Sequence, residues 1–134
     1  MAAHRIDLGG TLLKVNMVVP GKGNATQDDD RAIAEATIRT LTAHVPPEVP
    51  GVVFLSGGMS DEQATSRLNE MNRIGGFPFA LSFSYGRALQ APALSAWKGD
   101  DANVEAGQRA LAHRARMNGL ARDGRYDASM ESAA

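Results

Sequence analysis

The sequence contains no cysteine, and this absence excludes disulfide bonds, thiolate metal ligands and thiol nucleophiles together. Aromatic residues make up only 5% of the chain, too few for a base-stacking surface. No apolar run approaches the ~20 residues of a membrane-spanning helix, and residues 1–10 lack the features of a secretory signal. With a formal net charge of -1, the chain has no excess of basic residues for binding nucleic acids or other polyanions. We therefore expect a cytoplasmic protein without nucleic-acid or membrane partners.

Apolar residues are nevertheless numerous, at 43% of the 134 residues, and this content favours a folded core over disorder. A chain of this length is typical of one domain, so we expect residues 1–134 to form a single domain. The polar segment that follows the last helical pattern, residues 124–134, is predicted to be a loose tail.

Three short apolar runs, each followed by a helical pattern, organise most of the chain. The runs cover residues 11–19, 52–55 and 79–85 and predict three strands. The regular alternation of short apolar strands with helices predicts the α/β class, with parallel strands joined by right-handed crossovers. A longer polar helix, from about residue 102 to residue 122, is expected to follow the third unit.

The ends of the predicted helices are marked by capping residues. Thr26 and Asp29 resemble a capping box at the start of the first helix, and Ser60 and Gln63 form a second box in front of the next. The third helix is expected to begin at residue 87 and to break after residue 97. Because residues 102–122 are polar nearly all round, we expect the arginines of the last helix to cover a solvated outer face. These are Arg109, Arg114, Arg116 and Arg122.

Lys14 interrupts the first apolar run, and two interpretations of it stay open. A lysine that apolar neighbours shield from water has a lowered pKa and can act as a nucleophilic amine that forms a Schiff base with a carbonyl substrate. Alternatively, a lysine on an edge strand prevents sheets from pairing with one another. The spacing of the residues alone favours the second interpretation.

Two loops share one layout, in which a hydroxyl is followed by glycine and the start of a helix. Ser56 and Gly57 follow the second run, and Ser84, Gly86 and Arg87 follow the third. Glycine lets backbone N–H groups approach an anion, the start of a helix favours negative charge, and arginine adds charged hydrogen bonds. The pair of loops predicts a phosphate site, whereas either loop alone is equally compatible with a simple turn.

Other candidate sites are weaker. The loop around Lys22 has glycines on both sides but lacks the Walker pattern, and no GxGxxG motif opens a helix. The histidines stand on unlike elements without acidic neighbours at ligand spacing, so we predict no metal site and no cofactor.

These motifs, taken in order, resemble class I fructose-1,6-bisphosphate aldolase. The resemblance rests on GTLLK at 10–14, NMV at 16–18, VPP at 45–47, FLSGG at 54–58 and FSYGRALQ at 83–90. It implies that the chain is the carboxyl-terminal part of a (β/α)8 TIM barrel, with strands six to eight and a final helix. Lys14 would then be the Schiff-base lysine. The phosphate of the sugar substrate would be bound by Leu55, Ser56, Gly57, Ser84, Gly86 and Arg87.

The sequence also departs from the family pattern. Gly9 and Val15 stand where the family commonly has glutamate and proline, and Met59 stands where glutamine is usual. A complete barrel takes about 250 residues, and in the family the first five strands carry the proton-transfer groups. We therefore expect a fragment that is inactive alone, from an enzyme that is a homo-oligomer at full length. The alternative is a non-catalytic, phosphate-binding α/β module derived from an aldolase.

Overall fold

The computed structural model describes residues 2–132 and contains three strands and four α-helices along this range. Short 3-10 helices cover Ala2–His4, Leu8–Gly10, Asp101–Asn103 and Ala128–Ser132. The main elements are β1 (Leu12–Val15), α1 (Asp30–His44), β2 (Gly51–Phe54), α2 (Asp61–Ile74), β3 (Ala80–Phe83), α3 (Arg87–Trp97) and α4 (Val104–Arg122).

The three strands are parallel, as the sequence predicted, and form one sheet in the order β1-β2-β3. The strands are shorter than expected, and β1 ends at Val15 rather than at Val19. After Val15 the backbone is bonded by side chains instead of by a neighbouring strand. Met17 N donates to Asn16 Oδ1 at 3.0 Å, and Val18 N donates to Thr37 Oγ1 at 3.0 Å. These bonds satisfy the backbone without extending the sheet.

The two faces of the sheet differ sharply in burial. Val52 and Phe54 are fully buried on the face that the helices cover, where each contributes roughly 1.5–3 kcal/mol of hydrophobic stabilisation. On the opposite face Leu12 is 66% exposed, Lys14 is exposed and Val53 is half-buried. The helices therefore cover one face only, and no layer of the described residues covers the other.

The start of α2 confirms its predicted capping box, whereas the predicted start of α1 is wrong. Ser60 Oγ accepts a hydrogen bond from Gln63 N, and Gln63 Oε1 accepts one from Ser60 N, both at 3.1 Å. The cap of α1 is Asp29, whose Oδ1 accepts from Ala32 N at 2.8 Å. The charged carboxylate caps α1 three residues later than the box predicted from Thr26.

The expected solvated face of α4 is wrong for Arg114, although Arg109, Arg116 and Arg122 are exposed as predicted. Arg114 is 3% exposed and Asn118 is fully buried. Thr65 of α2 donates to Asn118 Oδ1 at 2.6 Å and accepts from Arg114 Nη2 at 3.1 Å. These partners compensate in part for the removal of polar groups from water, while Arg114 Nε and Asn118 Nδ2 have no hydrogen-bond partner among the described residues.

The segment after α4 is packed, so the prediction of a loose tail over 124–134 is wrong for its central part. Tyr126 is 8% exposed, and its backbone N donates to Asn69 Oδ1 at 3.0 Å. Glu131 accepts hydrogen bonds from Arg114 and Tyr126. Residues 133 and 134 lie outside the described range.

Helices α3 and α4 approach each other closely at Gly107. A Cβ atom added there would lie 3.0 Å from Trp97 Cβ and 3.3 Å from the Ala93 carbonyl oxygen. Glycine at this position therefore permits the close packing of the two helices. The chain turns between them at Lys98, which has a left-handed backbone conformation with a φ of 58°.

Candidate functional site

Lys14 lies on β1, an edge strand of this sheet, and pairs in register with Val53 of β2. Its side chain is exposed, and by the two-residue period of a strand it shares the open face with Leu12. Val53 pairs in turn with Ser82 of β3, so these residues lie in one row across the sheet. Both interpretations of Lys14 stay open on this geometry, because the open face has no covering layer among residues 2–132.

The carboxyl ends of the strands bring the predicted phosphate loops together. Ser56 follows β2 and is 8% exposed, and its Oγ accepts a hydrogen bond from Ala88 N at 3.4 Å. Ala88 belongs to the first turn of α3, next to Arg87. On the other side, Asn16 Nδ2 donates to the Gly57 carbonyl oxygen at 3.4 Å. The loops after β1, β2 and β3 therefore meet at one edge of the sheet.

At this edge a cavity of about 340 Å³ is lined by five residues, among which Ser56 and Arg87 belong to the predicted site. The full lining is Lys22, Ser56, Gly58, Met59 and Arg87. Leu55 and Gly57 are half-buried beside Ser56, while Ser84 and Gly86 are exposed at the end of β3. Lys14 does not line this cavity.

Gly86 is the N-cap of α3 and brings no side chain to the first turn of that helix. A Cβ atom built on Gly86 would meet nothing within 4 Å, so the space beside this backbone is open. An open helix N-terminus with a neighbouring arginine favours an anion, because the N–H groups and the helix dipole carry partial positive charge.

Lys22 is the cavity-lining residue that the sequence analysis did not select. In the sequence, Lys22 stands in an incomplete nucleotide-binding motif, which gives no reason to select it. The signal that could have identified it is positional. Lys22 is a glycine-flanked cation in the loop after β1, and the loops that follow parallel strands meet at one edge of the sheet.

Tyr85, between Ser84 and Gly86, has a structural role. Its Oη donates to the Ala64 carbonyl oxygen of α2 at 2.8 Å, and the residue is 6% exposed. Burial raises the pKa of Tyr85 above its ordinary value of 10.0, so the phenol stays protonated and keeps donating. This bond fixes the end of β3, and with it the start of the loop that leads to Arg87.

A larger cavity, of about 600 Å³, lies away from this edge and is lined mainly by α4 residues, including Arg109, His113 and Arg116. It contains none of the predicted site residues, so cavity size alone does not identify the site.

Over residues 2–132 no His, Asp and Glu side chains gather in a group suited to a metal ion. The helices in the same range are too short or too polar to cross a membrane.

Comparison with known proteins assigns these features to one family. The family model for fructose-bisphosphate aldolase class-I matches residues 1–134. Fructose-bisphosphate aldolase of Dictyostelium discoideum is 52% identical over 123 residues, which are 92% of this chain and 34% of that protein. Fructose-bisphosphate aldolase 2 of Caenorhabditis elegans is 50% identical over 127 residues, 94% of this chain and 35% of that protein. The chain spans about a third of the length of these relatives.

A solved structure agrees with the sequence matches. The fructose-bisphosphate aldolase of Plasmodium falciparum, in complex with TRAP and a small molecule inhibitor, aligns with a TM-score of 0.89 and 46% sequence identity. The alignment covers 92% of this chain and 35% of that chain. The sheet is accordingly an unclosed part of a barrel, which confirms the predicted fold class. The chain belongs to the class-I fructose-bisphosphate aldolase family, and it corresponds to the carboxyl-terminal portion of its relatives.

Proposed function

We propose that this chain supplies the Schiff-base lysine and one phosphate-binding site of a fructose-bisphosphate aldolase. The observation that carries the proposal is the convergence of Ser56 and Arg87 on one cavity at the carboxyl edge of the sheet. The loops that follow strands seven and eight of (β/α)8 barrels frequently form a phosphate site. Family membership makes a sugar phosphate the expected ligand.

In the proposed reaction Lys14 Nζ adds to the carbonyl carbon of the ketose phosphate, and loss of water gives an iminium. The bond between the α and β carbons, one bond removed from the iminium carbon, then breaks, and its electron pair forms an enamine as the positive nitrogen is neutralised. The leaving portion departs as an aldehyde once its hydroxyl loses a proton. A proton added to the α carbon of the enamine restores an iminium, and its hydrolysis by water returns the free lysine and releases the second triose phosphate.

The proton transfers in these reaction steps need acids and bases held near Lys14. Among residues 2–132, no Asp or Glu forms a salt bridge with Lys14. We infer that the remaining strand-helix units of the barrel supply these groups and cover the open face. The 134 residues alone should therefore bind phosphate but should not cleave fructose 1,6-bisphosphate.

Complementation tests this proposal. The 134-residue chain is mixed with a separately expressed first two thirds of the Dictyostelium discoideum aldolase, and release of triose phosphates is measured. We expect cleavage from the mixture and none from either part alone. Lys14→Met should abolish the activity of the mixture, whereas Lys98→Met, at the end of α3, should retain it. Activity from the lone chain, or full activity with Lys14→Met, contradicts the proposal.

The alternative is a phosphate-binding module without catalysis, and the exposure of Lys14 on an open sheet face favours it for the chain on its own. The same mixture distinguishes the two. A stable complex that binds phosphate, but neither cleaves fructose 1,6-bisphosphate nor forms an adduct at Lys14, supports the alternative.

A further inference from the structure

Lys22 lies on a hydrogen-bonded turn and lines the cavity that Ser56 and Arg87 also line. Asn24 N donates to the Gly21 carbonyl oxygen at 2.9 Å, which closes the turn around Lys22. The side chain is exposed and lines the cavity together with residues of two other loops. The loop after β1 thus adds a second cation to the cavity. The phosphate site predicted from the sequence contained only one, Arg87.

The charges of this cavity are unbalanced. Its lining contains two cations, Lys22 and Arg87, and no carboxylate. Over the described part of the chain neither cation forms a salt bridge, whereas Arg67 and Arg114 are paired with carboxylates. Two like charges around one cavity repel each other, and an anion between them converts this repulsion into attraction.

The donors in and around the cavity also suit one kind of anion. Arginine offers a planar fork of N–H donors that matches two phosphate oxygens, and the lysine ammonium offers three donors as a compact charge. The cavity of about 340 Å³ exceeds by several-fold the ~30 Å³ that one water molecule occupies in the liquid. It therefore has room for a phosphate group with part of the molecule that carries it.

We propose that Lys22 is a further phosphate-binding residue of this site, which binds the phosphate group of the sugar phosphate opposite Arg87. This inference rests on the proposed function, because it uses the same cavity. The proposed phosphate site then includes a residue from the loop after β1 as well as residues that follow β2 and β3. The loops after all three strands contribute to phosphate binding.

Titration of the 134-residue chain with inorganic phosphate tests the proposal, with the backbone amide signals of Gly57 and Gly86 as the readout. Lys22→Gln should weaken binding by roughly five-fold, the size of effect that removal of one exposed charge produces. Lys22→Glu should weaken it further, and Lys22→Arg should retain the wild-type affinity. Lys98→Gln is the matched control, since Lys98 does not line the cavity, and it should bind as the wild type does.

Arg87→Gln separates failure of this proposal from failure of the proposed function. If Arg87→Gln weakens phosphate binding while Lys22→Gln binds as tightly as the wild type, Lys22 is not a phosphate ligand and the proposed function stands. If phosphate leaves the signals of Gly57 and Gly86 unshifted, or Arg87→Gln has no effect on affinity, the phosphate site itself is wrong and both proposals fall.

Discussion

The Arg114 guanidinium forms a bidentate ion pair with the Glu131 carboxylate. The distance is 2.9 Å from Nη1 to Oε2 and 2.5 Å from Nη2 to Oε1. The two side chains are only 3% and 15% exposed. Tyr126 Oη donates to the same carboxylate at 2.8 Å, and His113 Nε2 lies 3.1 Å from it. Glu131 therefore connects the segment after α4 to a buried position in the middle of that helix.

Glu131→Gln should lower the free energy of unfolding by about 2 kcal/mol, because it removes the nearest carboxylate from the buried Arg114 charge and leaves only Asp61, 3.9 Å away. Urea denaturation followed by circular dichroism measures this change. Glu105→Gln is the control, since the Glu105 side chain is 86% exposed and lies 3.5 Å from Arg109. Its effect should stay below about 0.5 kcal/mol. Equal effects of the two substitutions contradict the assigned role of Glu131.

The same pair should make stability depend on pH in the acid range. Burial acts to raise the pKa of Glu131, but hydrogen bonds from Arg114, Tyr126 and His113 outweigh it and lower the pKa below its ordinary value of 4.5. The unfolded state then binds the proton more readily than the folded state. The stabilisation is complete above pH 4.5 and is lost as the pH falls through the folded-state pKa.

We therefore expect the urea midpoint of the wild-type chain to fall more steeply below pH 4.5 than that of Glu131→Gln. The comparison between the two proteins cancels the contributions of the other carboxylates. Parallel pH profiles would show that Glu131 is not responsible for the acid sensitivity.

Removal of the Ser60 hydroxyl and, separately, of the Thr26 hydroxyl tests the assignment of the helix starts. Ser60→Ala should cost about 1 kcal/mol, because it removes the acceptor for Gln63 N at the start of α2. Thr26→Ala should have little effect, because Asp29 caps α1. Thermal or urea unfolding of both variants measures the difference. A larger loss from Thr26→Ala than from Ser60→Ala would overturn this assignment.

Lys14 should be the site of reductive trapping in the complemented barrel. Borohydride and dihydroxyacetone phosphate convert a Schiff base into a stable amine adduct, which peptide mass spectrometry locates. We expect adduct at Lys14 and not at Lys22 or Lys98, because Lys14 is the proposed nucleophile that the complete barrel would enclose with the substrate. In the chain alone, where Lys14 is exposed, labelling should be weak. Equal labelling of all three lysines contradicts a special reactivity of Lys14.

The sequence correctly predicted those helix ends and helix faces that depend on residues close by in the chain. The apolar stripe of α2, from Ala64 through Leu68 to Met71, is fully buried, and its box at Ser60 forms both predicted hydrogen bonds. The limits of α3, Arg87 and Trp97, are also as predicted. In each case the physical cause lies within about one turn of helix, so a short window of sequence contains it.

The errors come from partners that are distant in sequence. Arg114 and Asn118 are polar residues of a kind that is typical of an exposed helix. Hydrogen bonds with Thr65 and Glu131 make their burial possible. The same contacts fix the segment that was predicted to be loose. Similarly, Lys22 gains its place in the cavity from loops that follow other strands. No periodicity within α4 or within the β1–α1 loop contains this information.

The close packing at Gly107 also has a consequence for the order of folding. Helices α3 and α4 meet across a short connection, residues 98–103, so their contact closes only a small loop. The pairing of β1 with β2 instead requires closure of a long crossover that contains α1, and longer loops cost more chain entropy to close. We expect the α3–α4 hairpin to form first and to offer α2 a preformed surface. Gly107→Val should accordingly slow refolding in stopped-flow measurements more than it accelerates unfolding.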